Sequence, residues 1–248
     1  MPRPKVLALV MAGGEGSRLE LLTERRAKPA LPYAAATWRN RELIAQYDPE
    51  ITLVLSADHV YRLDYGEVLA RHQERGAGVT VVTSEVPERE ASRQAVVEVA
   101  GDGRLSGFHY KPDQPPTTRV ATEVFAFATR RLLDTLEELA GAGELQDFGH
   151  RLLPRLVEAG EAVEHRMAGY GGDVGTVPAD WQAHMDLLDP ERPWDLDDPD
   201  WPILGRAPHR LPARVEGSTR LEGAHVPRGA TVAPGGRLGQ HGAREPAA

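Results

Sequence analysis

Two rhythms of apolar residues run along the first 190 positions. Near-continuous apolar runs, KVLALVM (5–11), ITLVLSA (51–57) and AGVTVVTSEV (77–86), read as strands buried on both faces. Between and after them come segments with apolar residues three or four apart. TWRNRELIAQY (37–47) presents Trp38, Leu43 and Ile44 on one helical face, which predicts a helix over about 37–46. DYGEVLARHQERG reads as a helix stopped by Gly76. RQAVVEV and RLSGFHY, joined through Gly101-Asp102-Gly103, read as an antiparallel hairpin. TRVATEVFAFA and EAVEHRMAGY add two strands. TRRLLDTLEELAG and DFGHRLLPRLVEAG add two helices, the second with a kink expected at Pro154. This order predicts an α/β fold, Rossmann-like, with a mostly parallel sheet and an antiparallel addition, over residues 1–188.

The texture changes after about Asp189. Residues 189–212 are rich in proline and acid, as in a linker, with Trp194 and Trp201 expected to dock onto the globule. In 213–238 apolar residues recur at Val215, Leu221, Val226, Val232 and Leu238, with glycines at 217, 223, 229 and 235 between them. That six-residue beat suggests the start of a left-handed β-helix, and a Gly/Pro-rich disordered tail is the competing reading, because about one coil buries little core. Residues 239–248 read as disordered tail.

Composition narrows the classes. The 248 residues carry 29 basic and 37 acidic side chains, a net charge of −8, which argues against a nucleic-acid binder working through a basic surface but leaves room for a local phosphate site. No cysteine is present, so disulfides, thiolate catalysis and Cys-ligated zinc are excluded. The N-terminus, MPRPKVLALVMAGG, mimics a signal peptide, but its apolar run is short and Gly-Gly-Glu-Gly replaces a cleavage site; a buried strand is the better reading. No run reaches membrane-spanning length, and a cytoplasmic protein is expected.

The stretch VMAGGEGSRLELLTERRAKPALP (10–32) holds the candidate chemistry. It lacks the Walker A pattern and fails the dinucleotide fingerprint at the third glycine. Its physics still favours phosphate. A strand ends, Gly13, Gly14 and Gly16 let backbone N–H groups approach an anion, and the start of a helix favours negative charge. Arg18 adds a guanidinium fork and Lys28 a second cation ahead of Pro29. Glycines after a strand are as often a plain turn. Asp58, just past a strand end in LVLSADHVY, sits where open α/β sheets gather ligands; helix capping is the bland alternative. Lys111 in GFHYKPDQP and Asp173 in GYGGDVG stand in equally suggestive places, with a solvated hairpin lysine and an Asp turn as the alternatives.

The whole pattern, G-G-x-G-x-R-L, then L-T, then K-P-A-L-P, resembles the N-terminal signature of sugar-phosphate nucleotidyltransferases. EASR (90–93), YKPD, ATEVFAF and DVGTVPADWQAHMDLL look most like the bacterial glucose-1-phosphate adenylyltransferase family. The resemblance runs from about Lys5 to Gly236. It implies adenylyl transfer from ATP to α-D-glucose 1-phosphate, giving ADP-glucose and pyrophosphate for glycogen synthesis. It implies that Gly13, Gly14, Gly16 and Arg18 hold the nucleotide phosphates, that Arg18 and Lys28 stabilise the departing pyrophosphate, that Lys111 contacts the sugar phosphate, and that Asp58 and Asp173 are ligands for Mg²⁺. His59 reads as structural. The family fold is a catalytic Rossmann-like domain followed by a left-handed β-helix, through which relatives assemble.

The departures are specific. After Pro32 the chain passes through YAAA directly into the helix before the Asp58 strand, so a block of several elements, near 33–37, is missing from the family pattern, and the base-reading surface goes with it. Gln94-Ala95 stands where Phe-Gly is usual, and Tyr110 precedes the lysine where an acid is frequent. The β-helix stops after its first repeats, which weakens the expectation of a homo-oligomer. The missing strand should leave an inner strand unpaired, and a non-catalytic remnant that binds sugar phosphate or an intact subunit competes with the enzyme reading.

Overall fold

The computed structural model describes residues 4–11, 33–188, 198, 200–202, 214–215 and 231–232. The glycine loop, with Gly13, Gly14, Gly16, Arg18 and Lys28, lies outside them, as do Trp194 and most of 189–248. By internal contacts the chain divides into Met1–Pro193 and Trp194–Ala248, a boundary inside the stretch read as linker.

In the first unit, β1 (Val6–Met11), β2 (Ile51–Ser56), β4 (Val79–Glu85), β7 (Arg119–Ala128) and β8 (Ala162–Arg166) form one sheet in the order β1-β2-β7-β4-β8. The hairpin β5 (Ala95–Val99) and β6 (Leu105–Tyr110) joins it where Val96 pairs with Val120. β1 and β2 are parallel, as are β4 and β8. The central β7 runs antiparallel to both of its neighbours, β2 and β4. Strand direction is therefore mostly shared, while the middle of the sheet is mixed.

Alternation along the strands divides the core between two faces, as a period of two requires. Val54, Val79, Val81, Phe125 and Phe127 pack on one face beneath α1 (Tyr33–Arg39), α5 (Thr129–Gly141) and α6 (Leu153–Glu158). From α5, Leu132, Leu136 and Leu139 enter this layer at spacings of four and three. Leu53, Val82, Val124 and Ala126 face the other way, against Leu63 and against Val68 of α3 (Tyr65–Arg75). The α3 boundaries are written in the sequence. The Asp64 carboxylate accepts from the Gly66 N–H at the start, and Gly76 adopts φ 54 at the end.

One helix reading needs correction. The segment read as one helix over about 37–46 is two, α1 and α2 (Arg41–Tyr47), broken at Asn40, and the first begins at Tyr33, inside YAAA. The break rotates the face. Ile44 is buried, but Leu43 is 64% exposed. Asp147 Oδ1 and the Gln146 carbonyl receive the Tyr33 and Ala34 N–H groups, which fixes the start of α1. The second irregularity lies beside Pro154: a π-type segment over Phe148–Leu152 passes, through helical dihedrals at Leu152 and Leu153, directly into α6, with Pro154 in its first turn. Without an N–H, proline is suited to a first turn and disrupts an interior one.

Beyond the sheet, β3 (His59–Tyr61) pairs antiparallel with β9 (Gly171–Asp173), followed by α7 (Val177–Leu188). In the second unit, β10 (Arg214–Val215) and β11 (Thr231–Val232) pair in parallel, with Val215 opposite Val232. Trp201 is 36% exposed. Among the described residues no helix is long and apolar enough to cross a membrane.

Candidate active site

The C-terminal end of β2 is the origin of the site. Its last residue, Ser56, donates from Oγ to Asp58 Oδ1, and His59 Nδ1 lies 3.1 Å from the same oxygen. Hydrogen bonding from His59, aided by Ser56, holds the Asp58 carboxyl down to about 2, against the opposing effect of burial. Asp58 is thus an anion throughout the working pH range.

The β3–β9 pair brings in a segment distant in sequence. Asp173 stands opposite His59, and the Val174 N–H donates to the Asp58 carbonyl at 3.0 Å. Two aspartates 115 positions apart in sequence are thereby joined through backbone pairing.

Beside them opens a cleft with a cavity volume of about 60 Å³. Its floor is apolar, with Val54, Phe108, Phe125 and Phe148; its polar rim includes Ser56, Tyr33, Tyr110, Glu123 and Asp147. Burial raises the Tyr33 hydroxyl well above its ordinary value, and the charges of Glu123, Asp58 and Asp147 raise it further. It stays a neutral phenol. Tyr110 rests on Gly149, where a Cβ would collide with the ring, and packs against His150 with ring centroids 4.4 Å apart. Gly149 is thus required by close approach.

Lys111 follows Tyr110 with a left-handed backbone at φ 49, its N–H bonded to the Gln94 carbonyl at 3.1 Å. Its ammonium lies 5.0 Å from the Tyr110 ring centroid, and the side chain is exposed. The β3–β9 pair thus brings the backbones of Asp58 and Asp173 together, while Lys111 follows Tyr110, a residue that lines the cleft.

Glu123 was missed by sequence reasoning. It sits in β7 at φ 57, and its carboxylate, the Asp58 carboxylate and a His59 ring nitrogen all lie within 4.8 Å of one another. The available signal was a lone acid inside an otherwise apolar central strand, ATEVFAFA. The donor set fits a divalent cation: carboxylate oxygens suit Mg²⁺ and Mn²⁺, and the imidazole tolerates the latter.

A mixed sheet with an aspartate just past a strand end places a carboxylate where open α/β sheets gather ligands. The sequence pattern of the Nucleotidyl transferase family matches residues 33–190, and the chain belongs to that family. Within it, the chain is similar to glucose-1-phosphate adenylyltransferases. It is 27% identical to that of Clostridium novyi over 94% of this chain and 80% of the relative. It is 29% identical to that of Desulforamulus reducens over 94% and 76%, and 30% identical to that of Thermomicrobium roseum over 90% and 68%. The alignment with the Clostridium novyi enzyme runs over 307 positions, more than the 248 residues of the whole chain, so the relative carries residues that this chain lacks.

Proposed function

We propose that the protein transfers adenylyl from ATP to α-D-glucose 1-phosphate, releasing pyrophosphate and forming ADP-glucose, the glucosyl donor for glycogen. The observation that supports this best is the backbone pairing that brings the Asp173 segment to Asp58, in a chain of this family.

The sugar phosphate oxygen attacks the α-phosphorus in line as pyrophosphate leaves. The protein's part is positioning and charge neutralisation. Asp58, fixed by Ser56 and His59, and Asp173 hold Mg²⁺, which when bound offsets charge on the phosphate oxygens. Lys111 takes the sugar phosphate. Gly13, Gly14 and Gly16 cradle the nucleotide phosphates through their backbone, and Arg18 and Lys28 stabilise the pyrophosphate. The cleft's apolar floor and polar rim suit a sugar ring, which offers C–H faces and hydroxyl edges.

Outside the catalytic domain, the parallel pairing of Val215 with Val232 supports one coil of a left-handed β-helix over 213–238, after a linker at 189–212. Three six-residue steps return the chain to nearly the same place, and the pair is 17 positions apart. A cytoplasmic location fits the reaction.

The test is pyrophosphate release from ATP and glucose 1-phosphate with Mg²⁺, using the full chain and Asp58→Asn. Release is expected, and loss of at least ~100-fold in the variant. The residues absent relative to the Clostridium novyi enzyme favour a second reading, a non-catalytic binder of sugar phosphate. Folded protein that binds glucose 1-phosphate without releasing pyrophosphate would establish it.

A further inference from the structure

We propose that Tyr110 is a positioning residue for Lys111, its ring fixing where the ammonium stands, a role that rests on the reading of Lys111 as the sugar-phosphate contact.

The backbone prepares the contact. β6 ends at Tyr110, paired with Ala95 at the last rung of the hairpin. One residue on, Lys111 turns to φ 49, its N–H donating to the Gln94 carbonyl. Successive residues of an extended strand point to opposite faces, so a strand that simply continued would carry Lys111 away from Tyr110. The turn ends that alternation, and the ammonium lies 5.0 Å from the Tyr110 ring centroid. A cation at that distance is attracted by the negative face of the ring.

The ring is itself held by a distant segment. Gly149 approaches it so closely that a Cβ there would collide with the Tyr110 ring edge, and the His150 ring packs against it at 4.4 Å between centroids. Both residues belong to the π-type segment Phe148–Leu152, whose two end residues are buried in the core. A chain of contacts thus runs from the core through Gly149 and Tyr110 to an exposed lysine.

That matters because a lysine is a point charge on a flexible four-carbon stem. Holding it in advance reduces the side-chain freedom lost when it meets a phosphate. An aromatic ring suits the task better than an acid would. It orients the ammonium without neutralising it and sets no negative charge against the phosphate.

The test is calorimetric titration of the full chain with glucose 1-phosphate alone, beside KM values for glucose 1-phosphate and ATP from pyrophosphate release. The variants are Tyr110→Leu, Tyr110→Phe, Gly149→Ala and Lys111→Ala, each checked by thermal unfolding. Tyr110→Leu should weaken glucose 1-phosphate binding by roughly fivefold, with the KM for ATP unchanged. Tyr110→Phe keeps the ring face and should bind like the parent. Gly149→Ala leaves both Tyr110 and Lys111 in the chain but displaces the ring, and should weaken glucose 1-phosphate in the same way. Parent-like binding by folded Tyr110→Leu, while Lys111→Ala loses it, overturns the proposal and leaves the reading of Lys111 intact. Equal losses in Tyr110→Phe and Tyr110→Leu also overturn it, since the hydroxyl and not the ring would then be at work. Parent-like binding by Lys111→Ala, or no binding by the parent, removes the sugar-phosphate reading and the proposal with it. The titration needs no turnover, so a parent that binds glucose 1-phosphate without releasing pyrophosphate still decides the role of Tyr110.

Discussion

His72 and Asp58 titrate with opposite charges and push stability the same way. His72 is buried under β4, with Nδ1 3.0 Å from Thr80 Oγ1, and burial lowers it from 6.5 to about 4. The folded state thus keeps it neutral over a range in which the unfolded chain protonates it. Stability from this group is full above about pH 6.5 and falls as pH drops toward 4, by at most roughly 3 kcal/mol. Asp58 is depressed from 3.8 to about 2, so its contribution is present above 3.8 and lost as pH falls through 2. Thermal unfolding of the parent and His72→Gln from pH 4 to 7 should show a slope in the first and a flatter profile in the second. Equal slopes would remove His72 as the cause. Asp58 was legible in the sequence because it follows an apolar run at a strand end. Glu123 was not, because its orientation comes from a bulge between two strands some forty residues apart, and no local pattern encodes that register.

At the scale of elements, the strands were legible because each is a short apolar run. The helices were legible only as far as they stayed regular. α3 carries its own cap and stop, Asp64 and Gly76, and lies where expected. α1 and α2 are divided at Asn40, whose N–H and side-chain amide donate to the Thr37 and Ala36 carbonyls, a turn that the apolar spacing does not reveal. β1 ends the sheet order, and among the described residues no strand pairs with its outer edge. Val10 there is 61% exposed, with Leu43 and Tyr47 of α2 also exposed. An apolar open edge invites pairing with other chains. Val10→Lys should lower self-association in concentration-dependent light scattering, with a stability change within about 0.5 kcal/mol. Undiminished association would place the sticky surface elsewhere.

At the scale of the molecule, the site's geometry and the absent residues separate. β1 pairs directly with β2, and α1 and α2 lead into β2, so the strand that positions Asp58 forms in a chain shorter than its aligned relatives. The β3–β9 pair and the Lys111 turn likewise belong to later segments. What the resemblance puts in the lost block is the surface that reads the base. Strong discrimination between bases needs buried polar groups that the wrong base leaves unpaired, which is worth about 10⁴-fold in kcat/KM. A chain that keeps phosphate, metal and sugar contacts but lacks that surface should turn over ATP, GTP, CTP and UTP with kcat/KM values within about tenfold. Pyrophosphate release with each triphosphate, at fixed glucose 1-phosphate, measures this. A preference for ATP of a thousandfold would mean that retained residues read adenine, and would direct attention to the aromatic floor of Phe108, Phe125 and Phe148, the largest apolar surface the cleft offers.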